Sequence, residues 1–322
     1  MSLIMVSDGG RFAKVIMGKS MVKSGQNASG AKEKIREVRF QNPRLQNLGV
    51  DTLTVAQLRG KCTPEHFARP ERLEFYQLIH FTGGRGRHEV DFRKYRVGKG
   101  TLILAQPKQV QQFHLDASLR GRLLLIDPVF LGGFELGAAG PALHMGEWPS
   151  WLELPTWLDG DIGRALDIVA RETAGYRGDG LTARFLQHVV AGLLVEIQRF
   201  VGEERRDKKQ RPGHTSDVLR LLKAEVESSF AHERSVRYYG RRLGYSEKTL
   251  TRACMAGEGR TAKELIDERV ALEAKRMLAH SRASFAEVGC QVGFSEATNF
   301  VKFFKRMTGV TPSAFRRWYG RE

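Results

Sequence analysis

The feature that most constrains this chain is an internal repeat. The stretch "SVRYYGRRLGYSEKTLTRACMAGEGRT" (235–261) recurs as "SFAEVGCQVGFSEATNFVKFFKRMTGVT" (284–311). Ser235, Gly240, Gly244 and Ser246 match Ser284, Gly289, Gly293 and Ser295 at an offset of 49. One inserted residue then raises the offset to 50, and Leu250, Arg252, Gly259 and Thr261 match Phe300, Lys302, Gly309 and Thr311. A unit that occurs twice must be one structural module used twice.

Each copy is patterned as two short helices about a tight turn. A helix opens at Ser235 or Ser284, and Glu287 completes a capping box in the second copy. A glycine sits midway, Gly240 or Gly289, where a missing side chain lets the next helix cross closely. "LGYS" or "VGFS" makes the turn, and its Ser is placed to cap the second helix. On a wheel of 100° per residue, the second helix of copy two gathers Phe300, Phe303, Phe304 and Met307 on one side. Thr298, Lys302 and Lys305 point the opposite way, flanked by Asn299, Val301 and Arg306. In copy one Leu250 and Cys254 face inward, while Lys248, Arg252 and Met255 face out with Thr251 beside them. Corresponding positions thus face outward in both copies. These residue types suit a duplex: Thr, Asn and Arg reach base edges, Lys and Arg reach phosphate, and Val meets a thymine methyl. For one such helix a solvated polar face is the simpler reading; two matching outward faces in two full copies argue against it. The spacer "TAKELIDERVALEAKRMLAHS" (261–281) opens with a Thr261/Glu264 capping box and reads as one helix of about twenty residues. Its length of ~30 Å approaches the ~34 Å between successive major-groove faces on one side of B-DNA.

The chain's 52 Lys plus Arg against 36 Asp plus Glu leave a net charge of +16. Such a field favours nucleic acid first and an anionic membrane surface second. The 322 residues allow two domains or three. The three cysteines, Cys62, Cys254 and Cys290, lie far apart with no metal-ligand spacing, and read as reduced and buried in a cytoplasmic protein. No uninterrupted apolar run reaches the ~18 residues of a membrane span. Residues 1–45 read as a disordered or loosely ordered leader, or in part as the product of an upstream start codon. From Leu53 to Ile126 the pattern is strand-like: "LEFYQLIHF" (73–81), the turn "TGGRGRH", then "EVDFRKY", the turn "RVGKG", "TLILAQP" and "GRLLLID". Short strands between Gly-rich turns predict an antiparallel sandwich or small barrel. Gly83, Gly84 and Gly86 lack the strand-to-helix context of a dinucleotide loop. After Pro155 the pattern turns helical. Phe185, Val189, Leu193 and Ile197 run beside Leu186, Val190, Leu194 and Val201 in a wide stripe over 156–202, suited to packing on the sheet domain, to dimerisation, or to both. "GEERRDKKQRPGH" (202–214) reads as a solvated linker over 203–214. The expected fold class is α+β in two domains: antiparallel β over 46–155 with following helices, and an all-α domain over 215–322 holding helix-turn-helix units at 235–256 and 284–307 joined by a long helix.

The tandem unit, "ERVALEAKRMLAHS" and "GFSEATNFVKFFKRMTGVTPSAFRRW" resemble the DNA-binding domain of the AraC/XylS family of bacterial transcription regulators over about 105 residues. "GKGTLILAQPKQVQQFHL" followed by "GRLLLI" is similar to that family's cupin-like (jelly-roll) effector domain. The resemblance implies a dimeric regulator, more often an activator, that binds double-stranded DNA, senses a small molecule and acts on RNA polymerase, with no cofactor. It places the groove-reading positions at Lys248, Thr251 and Arg252 in copy one, and at Ala297, Thr298, Asn299, Val301 and Lys302 in copy two. Lys302, Lys305, Arg306, Arg316 and Arg317 are candidates for phosphate or groove charge. Cys254 and Leu265 stand where the family has aromatics, and both motif centres carry Gly where Ala is usual.

A barrel interior lined by alternate residues such as Phe75, Ile79, Leu102 and Leu104 is the expected effector site, although each of these residues also suits a plain core. Tyr76 and Arg96 are candidate anchors for a polar ligand. An alternative reading is a cupin-type metal enzyme with an accessory nucleic-acid module. Its candidate ligands, His80, His88, Glu89 and His114, form no close ligand cluster in sequence, so no metal is expected. No nucleophile elbow, phosphate loop or paired-carboxylate motif is present.

Overall fold

A computed structural model describes residues 36–38, 40, 48–62, 67, 70–114, 116, 118–132, 143, 145–208, 214–281 and 283–319. The expectation for the leader lies almost wholly outside these residues. The chain divides into two compact units, within Arg36–Glu203 and within Glu204–Glu322.

The first unit is a sandwich of two five-stranded sheets. One runs in the order β1 (Arg36–Val38), β3 (Glu71–Leu73), β8 (Val110–His114), β5 (Arg85–Val90), β6 (Arg93–Gly98). The other runs β10 (Trp151–Glu153), β7 (Thr101–Ala105), β4 (Tyr76–Gly83), β9 (Arg120–Ile126), β2 (Val50–Thr54). Neighbours pair antiparallel except β1 and β3, which are parallel. Side chains alternate across the strands, so one face of the second sheet supplies Ile79, Phe81, Ile103 and Leu123 to the core between the sheets, where they meet Val90, Val97 and Phe113. Its other face presents Leu78, Leu102, Leu104 and Leu124 to the helices α3 (Thr156–Gly175) and α4 (Gly180–Lys208). Short helices α1 (Val55–Lys61) and α2 (Pro128–Gly132) flank β2 and β9.

The register corrects two expectations. Leu102 and Leu104 do not share a face with Phe75 and Ile79: Leu104 pairs with Leu78 and Ile103 with Ile79, so both leucines pack on the helices, as does Tyr76. Nor is "EVDFRKY" one strand. It breaks at Asp91 and Phe92, both at positive φ (47° and 67°), and "RGRHEV" and "RKYRVG" pair as a hairpin about them. The Asp91 carboxylate accepts from Gln109 Nε2 (2.7 Å) and from the Val110 amide (3.2 Å), holding the turn onto β8.

In the helical segment, α3 buries Leu158, Ile162, Leu166 and Val169, and α4 buries Leu186, Val190, Leu194 and Ile197, in one apolar cluster with the sheet's outer leucines. By length and composition Gly180–Glu204 is apolar enough to cross a membrane; its buried stripe packs on the sandwich. Trp157, Leu181 and Phe185 of these helices stay exposed. Helix α4 continues to Lys208, so the first part of the expected linker is helical; residues 209–213 lie outside the described residues.

Among the described residues of the second unit the regular elements are all helices: α5 (His214–Ser229), α6 (Val236–Leu243), α7 (Glu247–Glu258), α8 (Ala262–His280), α9 (Phe285–Gln291), α10 (Ala297–Thr308) and α11 (Pro312–Tyr319). Helices α6–α7 and α9–α10 are the two repeat copies, and α8 packs against elements of both.

Candidate nucleic-acid interface

Local chemistry sets each turn. Ser246 caps α7 by accepting from the Thr249 amide (3.1 Å). In copy two the inserted residue falls here: the N-cap of α10 is Glu296, with no side-chain cap bond. Ser295 therefore does not cap that helix, contrary to the expectation. The inserted position shifts the helix start by one, and Glu296 Oε2 accepts instead from Asn299 Nδ2 (3.3 Å). Capping boxes form at Ser284/Glu287 and Thr261/Glu264, and the bonds to these caps hold both glutamates below the usual carboxylate range. The central glycines are sites of close approach. A Cβ on Gly240 would lie 2.6 Å from the Tyr245 carbonyl oxygen, and one on Gly289 would lie 2.9 Å from Phe300 Cβ.

Burial follows the wheel. Leu250, Ala253 and Cys254 are buried on α7, and Phe300, Phe303 and Phe304 on α10. Copy two closes around an aromatic cluster, with Phe294–Phe303 ring centroids 4.9 Å apart and Phe304–Phe315 5.5 Å apart. Copy one has Leu250, Cys254 and Leu265 at the matching places, and burial pushes the Cys254 thiol up to about 11. Of the other two cysteines, Cys290 is exposed and Cys62 half-buried, so the expectation of three buried thiols holds for Cys254 alone.

On the outward side Lys248, Arg252, Ala297, Thr298, Asn299, Lys302 and Lys305 are exposed, and Thr251 and Val301 half-exposed. Two of the proposed cations are held by the protein itself. Arg306 Nη2 donates to Asp267 Oδ2 (3.1 Å), a carboxylate it shares with Lys263. Arg316 Nη2 donates to the Ala283 carbonyl (2.6 Å), and its guanidinium lies 4.7 Å from the Phe285 ring centroid. A helical wheel gives a direction but not the neighbour waiting there, which is why both read as groove charge. Arg317 is exposed on α11. The sequence reading passed over Arg237 and Arg241 of α6, both exposed; among the described residues no carboxylate pairs with them. Their signal was available: in "VRYYGRRL" they lie one turn apart on the side of the helix opposite the buried Tyr239.

The two copies are joined as one body. The Arg234 guanidinium lies 3.6 Å from the Phe294 ring centroid, crossing from the start of copy one to the turn of copy two. Lys263 donates to the Arg234 carbonyl (3.3 Å) and pairs with Asp267, which in turn holds Arg306. On the far side Arg269 pairs with Glu227 (2.6 Å) and Glu273 (3.1 Å) over the Phe230 ring.

A profile described as a helix-turn-helix domain matches residues 239–317, and one described as an AraC-like ligand binding domain matches residues 58–156. The chain belongs to the AraC/XylS family of transcription regulators. Among similar proteins are the HTH-type transcriptional activators RhaR of Salmonella dublin, 24% identical over 76% of this chain and 85% of that protein, and of Klebsiella pneumoniae, 23% identical over 79% and 89%. Among solved structures, ToxT of Vibrio cholerae aligns at 13% identity over 83% of this chain and 98% of that one with a TM-score of 0.41, too low to add to the fold described above.

Within the region matching the AraC-like ligand binding domain, the effector candidates part company. Phe75 and Ile79 are in the inter-sheet core, Tyr76, Leu102 and Leu104 lie on the helix side, and Arg96 lines an open cleft of about 790 Å³ beside β5, β6 and β8. The proposed metal candidates are engaged separately. His80 Nε2 is 2.6 Å from Asp159 Oδ1 on α3. His88 Nε2 meets Gln111 Oε1 (3.2 Å) inside the sandwich, and burial drives this imidazole down to about 3. His114 Nε2 lies 3.8 Å from Glu89 Oε2. Among the described residues no three His, Cys, Asp or Glu side chains gather as a metal site needs.

Proposed function

We propose that this AraC/XylS-type regulator binds its promoter by laying α7 and α10 in successive major grooves of one duplex face. Lys248, Thr251 and Arg252 then read the first groove, and Ala297, Thr298, Asn299, Val301 and Lys302 the second. Lys305, Arg317, Arg237 and Arg241 meet flanking phosphates. The observation that carries this reading is the pair of matching outward faces on α7 and α10, cationic and exposed in both copies, each backed by a buried apolar side. Helix α8, at 19 residues, spans ~28 Å, which suits a spacer between grooves ~34 Å apart.

The family relatives named as transcriptional activators support activation as the direction, acting on RNA polymerase from the cytoplasm without catalytic chemistry of its own. The exposed Trp157, Leu181 and Phe185 of α3 and α4 support a homodimer joined through those helices, with a small-molecule effector bound in the sandwich unit. The test is footprinting by the full chain on duplexes from its own genomic neighbourhood. The reading expects protection of two adjacent major-groove segments on one face per protomer. Protection of a single segment, with Lys302→Ala neutral, would remove α10 as a reader.

A further inference from the structure

We propose that Glu296 is a positioning residue for base readout: its carboxylate holds the Asn299 amide in the orientation that matches adenine and excludes guanine. This rests on reading α10 as the helix that enters the second groove. The equivalence of the two copies runs through the insertion. Ser246 and Glu296 are the N-caps of α7 and α10, and Thr249 and Asn299 stand three residues on in each. The same two positions are joined by their side chains in both copies. Ser246 Oγ lies 2.8 Å from Thr249 Oγ1, and Asn299 Nδ2 donates to Glu296 Oε2 at 3.3 Å. Ser246 also caps its helix through the Thr249 amide, whereas Glu296 makes no cap bond. Among the described residues no Lys or Arg pairs with Glu296. Its carboxylate thus serves the Asn299 side chain rather than the helix end. Both residues are exposed at the start of α10, the end of a recognition helix that meets base edges.

A carboxylate only accepts, so the amide must turn Nδ2 toward it and Oδ1 away. One N–H is then taken. What remains for a base is one acceptor, Oδ1, beside one donor, the second Nδ2–H. Adenine offers one donor and one acceptor in the major groove, its N6–H and N7, which that pair matches in bidentate fashion; guanine offers two acceptors, O6 and N7. An unheld amide can turn over and present Nδ2 to guanine, and the bond to Glu296 removes that option. The carboxylate also works against affinity, because a negative charge on the face that meets the duplex repels phosphate whatever the sequence. A group that weakens binding everywhere and orders one reading side chain acts on discrimination, which is a difference between two affinities.

The test uses the full chain, its footprinted promoter duplex, and duplexes in which each adenine of the second protected segment is changed in turn to guanine with its partner base. In wild type one adenine is expected to be preferred over guanine by about tenfold or more, and replacing its N7 by carbon to cost a similar factor. Asn299→Ala is expected to abolish both effects. Glu296→Ala is expected to reduce the adenine-over-guanine ratio at that same pair about threefold or more, with the melting temperature unchanged and unrelated duplex bound as tightly as by wild type or more tightly. Glu296→Gln keeps an acceptor without the charge, and is expected to retain the ratio while sharing the gain on unrelated duplex. Adding Glu296→Ala to Asn299→Ala is expected to change the ratio no further. An unchanged ratio in Glu296→Ala overturns the proposal. So does a loss at a pair to which Asn299 is indifferent, which would make Glu296 a reader itself, and so does a uniform loss of affinity with a lowered melting temperature, which would make it a structural group only. A second protected segment with an unchanged ratio refutes the positioning role and leaves the two-groove reading intact, while absence of that segment in wild type overturns both.

Discussion

Gly240 shows how one missing methyl fixes a motif. The sequence suggests a conformational cost, since a helix-interior Gly is worth roughly 0.5–1 kcal/mol less than Ala, yet the structure leaves no room for the extra carbon. Its Cβ would press on a backbone carbonyl, Tyr245 O, which cannot rotate aside. Gly240→Ala is therefore expected to destabilise the second unit by about 1–3 kcal/mol, measured by chemical denaturation; an unchanged or raised stability would show that the turn yields. His88 makes a different residue-scale prediction. Its folded pKa is lowered to about 3 by burial, while in the unfolded chain it returns to ~6.5. Between those values the unfolded state binds the extra proton, so stability falls as pH drops through that window, by at most about 1.4 kcal/mol per pH unit. His88→Gln should flatten the decline between pH 6.5 and 4, and an unaltered slope would place the pH dependence elsewhere. The thiols follow burial as well: iodoacetamide should label Cys290 rapidly and Cys254 only on unfolding, with peptide mapping as the readout.

At the scale of elements, the structure sorts cations that look alike in sequence. Lys302 and Arg252 stand exposed on α10 and α7, whereas Arg316 fastens α11 to the start of α9 through the Ala283 carbonyl. Lys302→Ala and Arg252→Ala are each expected to weaken promoter binding by about 1–3 kcal/mol with melting unaffected. Arg316→Ala is expected to lower stability by about 1–3 kcal/mol and to impair DNA binding only through that loss. A gel shift beside a thermal melt separates the two classes; if Arg316→Ala melts like wild type, its bond to Ala283 is not holding the helix. Asp267 ties α8 to α10 through Arg306 and carries Lys263 as well, so the spacer is not a bare rod. It is bolted at one end to the second reading helix.

For the whole molecule, the net charge of +16 matters through where it is left uncompensated. Among the described residues, Arg237, Arg241, Lys248, Arg252, Lys302, Lys305 and Arg317 have no carboxylate partner. If these seven meet phosphate or groove, the logarithm of affinity should fall against the logarithm of salt with a slope near −6, about 10³- to 10⁴-fold between ~50 and ~200 mM. Each alanine variant at a phosphate contact should reduce that slope by about 1. A slope near −2 for the full chain would mean that most of these cations never touch the duplex.

The repeat, the caps at Ser246, Thr261 and Ser284, and the inward and outward faces of α7 and α10 were legible because they are local; the cap expected at Ser295 was not, because the inserted residue moves the helix start to Glu296. Helical periodicity and Ser/Thr–Glu spacing act within a few residues and leave their mark directly in the sequence. The sandwich was legible as a class but not in its details. Whether "EVDFRKY" runs on or turns at Asp91–Phe92 is decided by Gln109 and Val110 on a strand far along the chain. Whether Leu102 faces the other sheet or the helices is decided by a register that no single strand contains. The same register brings Arg87 against Arg96, two residues that the sequence pattern assigned to separate turns. Short-range order was thus set by the sequence itself, and the pairing of distant strands, with the charge rows and clefts it creates, came only with tertiary structure.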